Sequence, residues 1–134
     1  MKRTVHAVLV LGLIASAAAM PAWAHHSFAA AYDLDDPVTI EGVIVEVRLT
    51  NPHSFFFLDV ENEAGDIERW AFEAGTPGGM IRNGYSPDII KPGTEVTIRG
   101  FRAYDDDETM GMMRELVTSD GTTYGMFGPR EGGR

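Results

Sequence analysis

Two strand-like runs joined by one short turn constrain this chain more than any other feature. Ser54-Phe55-Phe56-Phe57-Leu58-Asp59-Val60 is rich in aromatic and aliphatic residues, Asn62-Glu63-Ala64-Gly65-Asp66 is turn-forming, and Ile67-Glu68-Arg69-Trp70-Ala71-Phe72-Glu73 answers the first run. Such composition favours a pleated, half-buried surface, so the stretch reads as a β-hairpin. Five of the thirteen aromatic residues of the chain sit here. Because side chains alternate across a strand, one face of the hairpin fills the core and the other is exposed, and the alternation fits either choice. The aromatic group Phe55, Phe57 and Trp70 is the face on which a ligand is expected. The hairpin is entered through Leu49-Thr50-Asn51-Pro52-His53, a turn marked by its proline.

The first 24 residues have the three zones of a secretory signal: Lys2 and Arg3, an apolar run from Val8 to Ala19, and Ala22-Trp23-Ala24 as a small-x-small cleavage site. The apolar run is closed by Met20-Pro21 before it reaches the ~20 residues that a membrane-spanning helix needs. The expected product is periplasmic or secreted, starts at His25, has 110 residues and carries no membrane segment. It keeps nine basic and all twenty acidic residues, for a formal charge near −11. A field of that sign repels phosphate backbones and anionic lipid, so nucleic acid is not an expected partner. There is no cysteine, which removes disulfides, thiolate ligands and a thiol nucleophile and leaves the core alone to stabilise the fold.

Along the processed chain, residues 25–37 read as an N-terminal arm ending at Asp36-Pro37. Val38 to Leu49 reads as a long strand. Val43, Val45, Val47 and Leu49 alternate in one phase, Val38 and Ile40 lie in the other, and Gly42 between them predicts a bulge that bends the strand. After the hairpin, Gly75-Thr76-Pro77-Gly78-Gly79 breaks the pattern. Met80 to Tyr85 predicts a helical turn or two stopped by Gly84, and Ser86-Pro87 caps a second short turn to Ile90. Further strands are predicted at Thr94 to Ala103, Met110 to Thr118 and Thr122 to Phe127, with residues 128–134 as a flexible tail. Three strands, a short helical connection, then two or three more strands is the order of a mainly β, OB-like Greek-key barrel spanning residues 38–127. In that architecture ligands meet strands two and three and the loops between strands one and two and strands four and five. Here those loops are Thr50 to His53 and Ala103 to Thr109.

Three groups of residues carry candidate chemistry. His53, at the turn, reads either as a half-exposed imidazole at a strand start or as a ligand. His25-His26 would open the processed chain, where the new α-amine and the His25 Nδ1 can chelate one metal ion. Met110-Gly111-Met112-Met113 reads either as core filling or as thioethers for Cu(I), and strand alternation leaves at least one of the three methionines exposed. Nitrogen ligands with thioethers and no thiol fit copper better than zinc or magnesium, so the expected ligand set is His25, His26, His53, Met112 and Met113. Asp105 to Glu108 lacks the ligand spacing of a calcium loop. Glu73, beside Trp70 and Arg69, reads as a buried acid or as half of a cross-strand ion pair. No nucleophile elbow, phosphate loop, dinucleotide fingerprint or paired-His zinc helix occurs. The expectation is a non-enzymatic binding protein, taking copper or, without metal, a small ligand or an exported protein partner.

His25-His26-Ser27-Phe28-Ala29, Thr50-Asn51-Pro52-His53, Trp70-Ala71-Phe72-Glu73 with Gly75-Thr76-Pro77, and Lys91-Pro92-Gly93-Thr94-Glu95-Val96 together resemble a family of small exported bacterial proteins of uncharacterised function. The resemblance covers nearly all of the processed chain. It implies export and a small β-barrel and carries no activity with it. Asp105 to Met113 departs from the family pattern in being more acidic and richer in methionine.

Overall fold

The computed structural model describes residues 30–104 and 109–125. Its elements are β1 (Tyr32–Arg48), β2 (Ser54–Glu61), β3 (Ile67–Ala74), α1 (Pro77–Arg82), β4 (Glu95–Ala103), β5 (Met110–Thr118) and β6 (Thr123–Gly125). The strand order is β3-β2-β1-β4-β5-β6. A parallel pairing of β3 with β5, Ala71 to Met110 through Glu73 to Met112, closes five of the strands into a ring. The other pairings are antiparallel. This is the small OB-like barrel that the element order predicts, with α1 between the third and fourth strands.

One long strand serves two sides of that ring. β1 pairs with β4 from Pro37 to Val43 and with β2 from Val43 to Arg48. The change of phase lies at Val45, which is left unpaired between Ile44↔Leu58 and Glu46↔Phe57. It does not lie at Gly42, where the sequence pattern puts the bulge. Val38, Ile40 and Ile44 face the core in one register, Val47 joins them after the bulge, and Val43 is exposed. Gly42 has a different role. A Cβ there would stand 2.7 Å from the Asp59 carbonyl oxygen, so glycine lets β2 come close where β1 leaves it.

β1 also starts earlier than Val38. Residues of the expected arm from Tyr32 onward belong to it: Tyr32 pairs with Ala103, Tyr104 N–H donates to the Ala31 carbonyl at 3.1 Å, and Arg102 donates to Asp36 at 3.1 Å. Pro37, which blocks a helix, is compatible with a strand whose register is interrupted between Tyr32 and Pro37.

Ile44, Phe56, Leu58, Phe72, Ile98, Met113 and Leu116 are fully enclosed in the core. Phe56 meets Tyr85 edge-on at 5.8 Å, and Trp70 stacks on Phe72 at 5.7 Å. Met80, Tyr85 and Ile90, from α1 and the turn after it, join the same cluster.

α1 begins at Pro77, ahead of the predicted Met80, so the glycine pair forms the first turn of the helix instead of breaking the chain before it. Thr76 Oγ1 accepts the Gly79 N–H at 3.1 Å, and proline at the first position has no N–H to leave unsatisfied. Gly84, with φ of 94°, stops the helix as expected. Thr76→Ala is expected to cost about 1 kcal/mol. In a domain of this size that is a fall in Tm of roughly 4–8 °C, readable in a thermal melt. Among the described residues no helix is long and apolar enough to cross a membrane.

Candidate functional site

The turn ahead of β2 is closed by the Thr50 hydroxyl donating to the His53 carbonyl at 2.7 Å, and the Asn51–Pro52 peptide is cis. His53 therefore stands at the first residue before β2 with its side chain about 30 % exposed. The hairpin register brings Glu73, near the far end of β3, back beside it: Ser54 pairs with Ala74 and Phe55 with Glu73. The imidazole Nδ1 of His53 contacts Glu73 Oε1, and the Tyr32 hydroxyl donates to Glu73 Oε2. One carboxylate thus bridges an imidazole and a phenol, using one oxygen for each.

The environment of this trio is dry at one end and wet at the other. Tyr32 is buried, the Glu73 side chain is 13 % exposed, and His53 reaches solvent. Burial raises the Tyr32 pKa well above its ordinary value near 10, and the hydrogen bond to Glu73 and the negative charge of Glu73 push it the same way. The phenol therefore stays protonated and remains a donor. A carboxylate accepting from Nδ1–H fixes the tautomer of the neutral ring and puts its lone pair on Nε2, the arrangement by which carboxylates orient metal-binding histidines.

Met112 lies next to Glu73 across the β3–β5 pairing and next to Phe101 across β4–β5, half-buried on the outer side. Met113 points the other way and is fully enclosed in the core, so alternation removes its sulfur from any ligand set that solvent can reach. His25 and His26 lie outside the described residues, as does the run Asp105 to Glu108. Among the described residues no three His, Cys, Asp or Glu side chains converge tightly enough to hold a metal ion. The structure therefore brings together His53, Glu73, Tyr32 and Met112.

The hairpin's core face is now defined. Phe56, Leu58, Trp70 and Phe72 point inward, whereas Phe55 and Phe57 lie half-buried outside with their rings 6.5 Å apart. The expected trio Phe55, Phe57 and Trp70 is split, because Trp70 belongs to the opposite face. Arg48 lies 4.7 Å over the Phe57 ring. Arg69, four residues before Glu73, pairs with Asp59 at 2.6 Å and leaves Glu73 to His53. Tyr32 had no local signal: its contact with Glu73 joins residues 41 positions apart.

The sequence matches, over residues 13–113, a family described as a family of unknown function (DUF6152). No curated protein matches the chain.

Proposed function

The chain belongs to the DUF6152 family of unknown function, and we propose that it is an exported, non-enzymatic protein that binds copper through His53 and the histidines of its processed N-terminus. The observation that carries this reading is the Tyr32–Glu73–His53 connection. It ties the Tyr32 side chain at the start of β1 to the His53 turn, so the chain preceding Tyr32 leaves within the reach of a tyrosine and a glutamate side chain from the imidazole. His26 is six residues upstream and His25 seven, within at most ~25 Å of extended chain from Tyr32. A terminal chelate of the His25 α-amine and imidazole, with His26 or His53 completing it, suits Cu(II), and Met112 offers a thioether to Cu(I). Glu73 takes the orienting role. Export rests on the three-zone leader and its Ala-x-Ala site; intact mass of the secreted protein is expected to give His25 as the first residue.

A second reading, a metal-free module for a small ligand or an exported protein, is favoured by the outward pair Phe55 and Phe57 with Arg48 above it. Cu(II) titration and electron paramagnetic resonance separate the two. The samples are the chain starting at His25, the same chain with one extra glycine ahead of it, His53→Ala and Glu73→Gln. The extra glycine and His53→Ala are each expected to change the spectrum and weaken binding at least ~10-fold, and Glu73→Gln to keep one ion per chain at ~10–100-fold lower affinity. An unchanged spectrum with the extra glycine rejects the terminal chelate. If only His53→Ala has no effect, the N-terminus chelates alone and the metal-free module is the better account.

A further inference from the structure

At the other end of β2 from His53, on the order of 20 Å along the strand, the outer surface holds an open trough of about 580 Å³. Glu41 and Val43 of β1, Asp59 and Glu61 of β2, Ile67 of β3 and Glu95 of β4 line it, and Val117 and Thr118 of β5 with Ser119 after it complete it. Two features set this surface apart. Val43 and Ile67 are 37 % and 62 % exposed, two large apolar side chains open to solvent in one depression. Around them stand four carboxylates with no Lys, Arg or His in the lining. Among the described residues only Asp59 of these four has an ion-pair partner, Arg69; the remaining pairs engage Glu46, Glu73, Glu115 and Asp36.

We propose that this trough docks a cationic, extended segment of a partner protein, in which Lys or Arg side chains flank an apolar one. The volume falls in the range that takes several ligand groups, far more than a lone cation needs. In an extended peptide, side chains on one face recur every ~7 Å, so a segment can seat an apolar side chain on Val43 and Ile67 while its charged neighbours reach Glu41, Glu61 and Glu95. Placing cations there relieves the mutual repulsion of three uncompensated carboxylates, and covering the two apolar side chains adds burial that a polyamine would not supply.

The probe is a labelled nine-residue synthetic peptide of alternating lysine and valine, followed by fluorescence anisotropy with the full processed chain. It is expected to bind, to weaken as salt is raised from about 0.05 to 0.5 M, and to be displaced poorly by spermidine; the same peptide with glutamate for lysine should not bind. Combining Glu41→Gln, Glu61→Gln and Glu95→Gln should lower affinity about tenfold, and Ile67→Ser roughly fivefold. Asp33→Asn with Asp35→Asn and Asp88→Asn removes equal charge elsewhere and should leave binding within about twofold. The proposal is overturned if the two triple variants weaken binding equally, because net charge alone then attracts the peptide. It is also overturned if Ile67→Ser has no effect or if spermidine competes as well as the peptide, since the site would then take a polyamine.

Discussion

Replacing Gly100 with alanine is expected to destabilise the domain by roughly 3 kcal/mol or more, while Gly78→Ala leaves it unchanged or slightly more stable. A Cβ at Gly100 would stand 1.9 Å from the Met112 carbonyl oxygen and 3.0 Å from its carbon, so the obstacle is backbone and cannot rotate aside. Nor can β5 retreat. Met112 pairs with Phe101 on one side and with Glu73 on the other, so the strand is clamped between β4 and β3 at that point. Gly100 also sits where the β4–β5 register slips, with Arg99 opposite Glu115 and Gly100 opposite Met113, which leaves Arg114 as the extra residue of a bulge. Room for the methyl therefore comes only from parting the β4–β5 seam. Gly78 is the contrasting case: its nearest neighbour would be an Arg82 guanidinium nitrogen at 3.5 Å, and alanine is the better helix former by about 1 kcal/mol. Urea denaturation of both variants measures the difference. A Gly100→Ala midpoint equal to that of the parent would show that the seam tolerates a gap. If the β4–β5 seam opens as argued, Met112 is displaced relative to Glu73, and the candidate copper site is lost with the fold.

The parts of this fold legible in the sequence are those decided by neighbours within a few residues. The hairpin turn is one. Asn62 Oδ1 accepts the Ala64 and Asp66 N–H groups, and Gly65 takes a φ of 84°, which is the chemistry that Asn-Glu-Ala-Gly-Asp announces. Strand existence is another, since β2 through β5 start and end within a residue or so of the expected positions. What failed was the assignment of a local pattern to one cause. Gly42 lies between two apolar phases and suggests a bulge, but the glycine answers a steric demand from Asp59 on β2, and the bulge falls at Val45. The Gly78-Gly79 pair reads as a break, yet the Thr76 cap and Pro77 start a helix through it. Least legible was the site. Whether Met112 or Met113 faces outward depends on the bulge at Arg114, and the alliance of Tyr32 with Glu73 exists only because β1 bends round to meet β4 while β3 meets β5. His53 could be singled out from its turn. The carboxylate that orients it could not be, because Glu73 is beside it only in the folded hairpin.

That alliance gives the second large effect, expected in alkaline solution. Tyr32→Phe should cost about 1.5–3 kcal/mol at pH 7, the usual contribution of a hydrogen bond to a charged group, and this deficit should shrink and vanish above pH 10. The phenol is buried against Glu73, and its folded-state pKa lies above the ordinary value near 10 that it has in the unfolded chain. Below pH 10 the tyrosine is protonated in both states, and its stabilising contribution is complete. As the pH rises further, the unfolded chain gives up the proton while the folded protein holds it. Each pH unit then removes about 1.4 kcal/mol from the parent. Phenylalanine has no proton to lose, so the variant keeps only the milder alkaline loss from Tyr85, whose pKa burial also raises. The two stability curves, measured by urea denaturation at constant ionic strength with a chelator present, should meet about one to two units above pH 10. Parallel curves from pH 7 to 12 would mean that the Tyr32 hydroxyl is solvated rather than held by Glu73. The start of β1 would then have no tether to the His53 turn, and the reach argument for the N-terminal histidines would lose its anchor.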